Sequence, residues 1–154
     1  MKIDFLGNHL NLLPELAKLQ FDEWKHFSPG KTLEDRVLKL QDIAQSNDVP
    51  FMVVAVDDDR LIGSAALALE DMRTRKDLSP WLASVFVKPE FRSNGIATIL
   101  VRHIEDQATR LGIKKLFLYT ERARGLYLKL GWSDIEHCEY MGVDVAVMFK
   151  QFAP

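Results

Sequence analysis

The sequence predicts one domain of the mixed α/β class, built on a sheet that combines parallel and antiparallel strands. Three observations predict it. Phe51 to Val56 and Leu61 to Leu69 are β-rich runs separated by Asp57-Asp58-Asp59-Arg60, the pattern of an antiparallel hairpin. Leu82 to Val87 then runs through a short turn into an amphipathic stretch ending at Leu111, and Lys115 to Thr120 followed by Arg122 to Leu130 repeats strand then helix, which implies parallel pairing through a right-handed crossover. Finally, 154 residues, 47% hydrophobic and 27% charged, suffice for one sizeable core and are too few for two ordinary domains.

The elements follow in order. Met1 to Phe5 alternates like a strand. Leu12, Leu13, Leu16, Leu19, Phe21 and Trp24 recur at helical spacing until Ser28-Pro29-Gly30 interrupts them. Thr32, with Asp35 three residues on, reads as a capping box that opens a second helix with an inner stripe of Leu33, Val37, Leu40 and Ala44, ended by Asn47-Asp48-Val49-Pro50. The hairpin comes next, and then a polar connection from Glu70 to Pro80. After the strand from Trp81, the apolar side of the following helix falls at Ile96, Ile99, Leu100, Ile104 and Leu111, with His103 on the same stripe. Gly131 stops the short helix after Lys115 to Thr120, at the position where a left-handed residue is needed. Trp132 to Tyr140 and Val143 to Phe149 close the chain as antiparallel strands joined around Met141-Gly142. The order is therefore β-α-α-β-β-β-α-β-α-β-β.

Composition excludes several classes. A formal charge of −2 argues against a general nucleic-acid binder that must neutralise many phosphates. No apolar run approaches the roughly 20 residues that span a bilayer, and the N-terminus lacks the apolar block of a signal peptide, so no membrane partner and a cytoplasmic location are expected. Cys138 is the only cysteine; it allows no internal disulfide and no cysteine metal cluster, and Glu136 and Glu139 beside it oppose thiolate formation. The three aspartates at 57 to 59 lack the ligand spacing of a calcium loop and read as a turn, so no metal is expected. Neither a Gly-x-Gly-x-x-Gly nor a Gly-Lys-Ser/Thr loop is present to bind a nucleotide in the usual ways.

The segment with the clearest chemistry is Arg92-Ser93-Asn94-Gly95-Ile96-Ala97-Thr98. A helix opening near Gly95 leaves its first amides without intrahelical partners at the positive end of the dipole, and Gly95 lets an anion approach the backbone. Arg92, Asn94 and the amides from Ser93 to Thr98 thus form a candidate phosphate cradle.

Arg-x-x-Gly-x-Ala after a strand ending Val-Lys-Pro, followed downstream by Tyr127-Leu128-Lys129-Leu130-Gly131-Trp132, resembles the GNAT superfamily of Gcn5-related N-acetyltransferases. The resemblance runs over nearly the whole chain and implies acetyl-CoA as co-substrate, with its diphosphate on residues 92 to 98. It also implies two central parallel strands that splay apart to admit the pantetheine arm, which backbone groups of Phe86 and Val87 would bond like an added strand. It makes Tyr127 the acid that meets the departing thiolate, since a phenol with pKa near 10 keeps its proton at neutral pH.

A protonated alkylamine acceptor costs roughly 4 to 5 kcal/mol to deprotonate at pH 7, so a base or proton path is required. Several members of the superfamily place a glutamate near the start of the strand before the cradle. Here that region is Pro80-Trp81-Leu82-Ala83-Ser84, which has no carboxylate. Glu70 and Asp71, at the end of the preceding strand, are the candidates, acting directly or through water. His26 is placed by the resemblance near the acceptor entrance, where Phe27 and Trp81 would supply an apolar wall; Trp24 reads as a core residue or as part of that wall, and His103 and His137 read as packing or surface residues. The expected activity is transfer of acetyl to a primary amine of a small molecule or peptide by direct attack in a ternary complex. The alternative is a non-catalytic acyl-CoA-binding sensor. Nothing in the sequence fixes an oligomeric state; a homodimer is compatible with it.

Overall fold

Two tight turns set the registers of the antiparallel parts. Asp58 and Asp59 both take positive φ, 48° and 64°, the paired left-handed conformation of a two-residue hairpin, which aspartate tolerates better than most residues. They join β2 (Phe51–Asp57) to β3 (Arg60–Ala68), paired from Asp57↔Arg60 back to Phe51↔Leu67. Met141 and Gly142, at φ 51° and 80°, do the same for β6 (Ser133–Tyr140) and β7 (Val143–Gln151).

A computed structural model describes residues 1–153. With β1 (Lys2–Phe5), β4 (Trp81–Val87) and β5 (Lys115–Thr120), the strands form one seven-stranded sheet in the order β1-β2-β3-β4-β5-β7-β6. All neighbours are antiparallel except β4 and β5. Helices α1 (Leu13–Trp24) and α2 (Leu33–Ile43) cover one face; α3 (Ile96–Arg110) packs on the other, with α4 (Arg124–Lys129) after β5. The observed order matches the one read from the sequence, with the last helix trimmed to 124–129 and the β3 end to Ala68. None of these helices is long and apolar enough to cross a membrane.

Strand β2 shows how both faces are filled. Phe51, Val53 and Ala55 join Leu100, Val101 and Ile104 of α3 in one core, while Met52, Val54 and Val56 join Leu13, Leu16 and Leu40 of α1 and α2 in another. A strand buried on both sides loses the apolar-polar alternation and reads as a continuous run. Gly63 on β3 is required by the close approach of β4: a Cβ there would lie 2.3 Å from the carbonyl oxygen of Phe86. The capping box at the start of α2 is fully formed, with Thr32 N–H donating to Asp35 at 2.8 Å and Asp35 N–H donating to Thr32 Oγ1 at 3.1 Å.

A buried carboxylate fixes the far side of the sheet. Glu105 on α3 accepts hydrogen bonds from Trp132 Nε1 (3.1 Å), Lys150 Nζ (2.8 Å) and Arg102 Nη1 (3.0 Å), and Lys150 also donates to the carbonyl of Leu130 at 2.8 Å. Four charged or polar groups satisfy one another there, as burial demands. They tie α3 to the end of α4 and to β7. Trp132 in turn packs edge-on against Tyr127, ring centroids 6.0 Å apart, so the platform under that tyrosine is rigid.

Candidate active site

The site begins at a bulge. Ser64↔Phe86 and Ala66↔Ala83 are successive pairings across β3 and β4, so Ser84 and Val85 of β4 oppose the single residue Ala65 of β3, and Ser84 takes φ 55°. Such an insertion bends its strand. β4 meets its parallel neighbour β5 at Trp81↔Phe117, with Phe117 N–H bonded to the carbonyl of Pro80 at 3.1 Å, and pairs with it nowhere beyond. β5 meanwhile stays fully paired to β7 from Lys115↔Gln151 to Thr120↔Ala146. The two central strands therefore diverge as the sequence resemblance implies.

Three polar side chains hold the bulge. Ser64 Oγ donates to the Ser84 carbonyl at 2.8 Å, Gln20 Nε2 of α1 donates to Ser64 Oγ at 3.0 Å, and Arg36 of α2 donates from Nε to Gln20 Oε1 at 2.9 Å and from Nη2 to Ser84 Oγ at 3.2 Å. Gln20 and Ser64 are fully buried. This chain of bonds reaches from both covering helices to a strained backbone position, and it offsets the roughly 1–2 kcal/mol that a left-handed non-glycine residue costs. None of the four residues stands in a recognisable motif, and the sequence reading missed them all. Their contacts bridge 16 to 48 positions along the chain, a separation at which local pattern carries no signal.

At the end of β4 the chain turns into the cradle. Ser93 and Gly95 take φ 66° and 76°, and the first amide of α3 with a backbone acceptor is Ile99, bonded to the Gly95 carbonyl at 3.2 Å. Among the described residues, the amides from Ser93 to Thr98 have no backbone partner, and no side chain caps the helix. An added Cβ at Gly95 would meet open space, so glycine serves there for its conformation and for access to the backbone rather than for packing. Coenzyme A's diphosphate fits such a set of outward amides at a helix N-terminus.

The side chains around the cradle are partly committed to building it. Asn94 Nδ2 donates to the carbonyls of Phe91 and Arg92 at 3.1 and 3.2 Å. Arg92 Nε donates to the Val87 carbonyl at 2.9 Å and its guanidinium lies 5.7 Å over the Phe86 ring, while the rest of the residue is exposed. The Phe86 carbonyl points at Gly63 across β3, and Lys88 N–H bonds the Ile62 carbonyl. By strand alternation the polar groups of Phe86 serve the β3 ladder, and those of Val87 turn to the divergent side. With its carbonyl taken by Arg92, Val87 leaves its N–H on that side.

A cleft of about 1050 Å³ opens between the divergent strands and the two covering helices. Leu82 to Val85 and Leu118 to Thr120 form its floor, and Arg36, Lys39, Glu70, Asp71, Tyr119, Tyr127 and Tyr140 line it. The cradle lies outside it, past the end of β4. His26 does not line the cleft; its Nε2 lies 3.1 Å from Glu121, which does, and this contact joins the end of the α1 region to the turn after β5.

The two candidate bases differ sharply here. Glu70 is exposed. Asp71 is half-buried, and desolvation pushes its carboxyl up to about 6 against the opposing pull of Lys39 and Arg36. Its neighbour Tyr119 is pushed above the ordinary phenol range by burial, with Asp71 and Tyr140 adding to the shift. Tyr119 sits among Phe27, Tyr140 and Trp81 at centroid distances of 5.4 to 6.3 Å. Tyr127 is buried, and burial raises its pKa as well. Its ring belongs to the core, yet its residue lines the cleft and no protein hydrogen bond engages its hydroxyl among the described residues. A protonated phenol facing a cleft is equipped to donate. Among the described residues no group of three or more His, Cys, Asp or Glu side chains is arranged to hold a metal ion.

Residues 13–132 match the model of the acetyltransferase (GNAT) family. The chain is similar to N-alpha-acetyltransferase 30 of Schizosaccharomyces pombe, 33% identical over 86 residues covering 53% of this chain and 57% of the relative. It is also similar to the amino-acid acetyltransferase of Serratia proteamaculans, 33% identical over 70 residues covering 46% of this chain and 14% of the relative. The chain thus spans about half the length of one of these curated relatives and a seventh of the other. An aminoglycoside 6'-N-acetyltransferase solved with coenzyme A shares the fold, with a TM-score of 0.79, 20% identity, and coverage of 100% of this chain and 98% of that one.

Proposed function

The chain belongs to the GNAT acetyltransferase family, and we propose that it is an acetyl-CoA-dependent N-acetyltransferase acting on a primary amine of a small molecule or peptide. The observation that carries this reading is the adjacency of two features. Unpartnered amides from Ser93 to Thr98 lie at the end of β4, and the same strand diverges from β5 to open a cleft containing Asp71 and Tyr127. Bound acetyl-CoA supplies the acyl thioester that the acceptor amine attacks.

The protein's own groups divide the remaining work. The amides of residues 93–98 and the outer nitrogens of Arg92 hold the diphosphate, and Val87 N–H offers the divergent strand's hydrogen bond to the pantetheine arm. Asp71 takes the proton of the ammonium: its pKa of about 6 leaves it ionised at neutral pH and closer to the amine's pKa than an ordinary carboxylate. Tyr127 keeps its proton and donates toward sulfur as negative charge builds there. Glu70 is the less suitable base, since it faces bulk water.

Steady release of thiol from acetyl-CoA in the presence of an amine panel tests the proposal. Turnover dependent on amine is the expected result. Tight coenzyme A binding with no turnover on any amine would instead favour an acyl-CoA sensor.

A further inference from the structure

Charge around Asp71 is unbalanced toward the positive. Lys31, Arg36 and Lys39 line the cleft along α2 and the turn before it; Asp71 and Tyr119 act on Arg36, and Arg36, Asp71 and Lys31 act on Lys39. Other lining carboxylates are engaged elsewhere or lie beyond this group: Asp35 caps α2, Glu121 faces His26 and Arg122, and Glu23, Asp42 and Glu70 do not act on either cation. Lys39 has no carboxylate within 4.0 Å and no hydrogen bond among the described residues. Arg36 is pinned at the bulge by Gln20 and Ser84, and its Nη1 donates to no group among the described residues. Arg36, fixed at the bulge, and the exposed Lys39 thus stand near one anion in the cleft between β4 and β5, with an unspent donor on each.

We propose that the acceptor is an amine carrying a carboxylate two or three bonds from its nitrogen, with the amine at Asp71 and the carboxylate on Lys39 and the free edge of Arg36. The proposal rests on the N-acetyltransferase reading and names its substrate class. A free α-amino acid presents this pair of groups through its α-carboxylate, and a peptide presents it through an aspartate side chain on its first residue. Both charges of such a molecule are matched. A polycation fits poorly, because after its reacting ammonium meets Asp71 its other charges meet Arg36, Lys39 and Lys31. The apolar wall of Phe27, Tyr119 and Tyr140 opposite leaves room for the rest of the molecule.

The test is steady-state kinetics at saturating acetyl-CoA with the twenty amino acids, their carboxamides, peptides with acidic or neutral first residues, and spermidine and kanamycin. The best acid is expected to exceed its amide in kcat/KM by about tenfold or more, the scale of one charge-assisted hydrogen bond. Lys39→Glu should abolish that preference and raise the acceptor KM by a similar factor, with the KM for acetyl-CoA unchanged; Lys39→Ala should do so in part. Whether the free amino acids or the peptides with an acidic first residue are the better substrates separates the two sources. If amides or polycations are acetylated as well as acids, or if Lys39→Glu leaves the preference intact, the proposal is overturned while the N-acetyltransferase reading stands. Absence of turnover on every amine, with acetyl-CoA still bound, removes both.

Discussion

At the scale of single residues the account depends on Asp71 and Tyr127, whose environments push them in the same direction for different ends. A carboxylate in water titrates near 4, and the half-buried Asp71 near 6. Its base form is lost as pH falls, so kcat/KM should rise through about pH 6 and level off above it. Asp71→Asn should lower kcat/KM by about 10² to 10⁴ and remove that acidic limb. Stability moves the other way. Because the folded pKa lies above the unfolded value of 3.8, the folded protein binds the proton more tightly; ionisation costs nothing below about pH 4 and destabilises increasingly as pH rises through 6. Asp71→Asn should therefore raise the melting temperature at pH 8 and leave it nearly unchanged at pH 4, as thermal unfolding at the two pH values would show. Tyr127→Phe keeps the ring's contact with Trp132 and removes only the donor. Its kcat should fall by about 10²-fold or more with little change in the KM for acetyl-CoA; an unchanged kcat would end its role as acid.

At the scale of elements, α2 is the lever on the acceptor side. It carries Arg36 and Lys39, and Thr32 and Asp35 fix its first turn through a reciprocal pair of bonds. Thr32→Ala should destabilise the protein by about 1 kcal/mol and raise the acceptor KM more than that for acetyl-CoA, because α2 packs on one face of the sheet and α3 on the other. Denaturant unfolding with paired KM measurements checks it. The capping box was legible in the sequence, as were both hairpins and the strand–turn–helix after Trp81, because each is a local rule written in neighbouring residues. The bulge was not. Ser84 looks like any serine in a strand, and its left-handed backbone follows from Gln20, Ser64 and Arg36, which lie far from it in sequence.

Across the whole molecule, the order of elements along the chain could be read in advance, while the place of β7 between β5 and β6 and the extent of parallel pairing could not. Two strand–helix repeats implied a parallel pair, but only the bulge in β4 reduces that pair to a single register position and opens the cleft. Asp71 and Glu70 were indistinguishable as neighbours in a polar connection. The fold separates them, leaving one in water and bringing the other under α2. The cradle was legible as a whole while its division of labour was not: Asn94 and Arg92 spend donors on the carbonyls of Phe91, Arg92 and Val87 before any ligand arrives. Phe86 turns its polar groups to β3, a consequence of strand parity that depends on where the bulge falls. The buried Glu105 cluster acts over the same range, linking α3 to the platform of Tyr127 from the opposite face of the sheet.

The most direct test follows backbone amide resonances during titration with coenzyme A. Large shifts should concentrate on Ser93 to Thr98 and on Val87, with smaller ones along Leu118 to Thr120 and none on the amide of Phe86. Saturable shifts confined to another part of the molecule, or none at millimolar ligand, would contradict the assignment of the α3 N-terminus and the divergent strands as the acyl-CoA site.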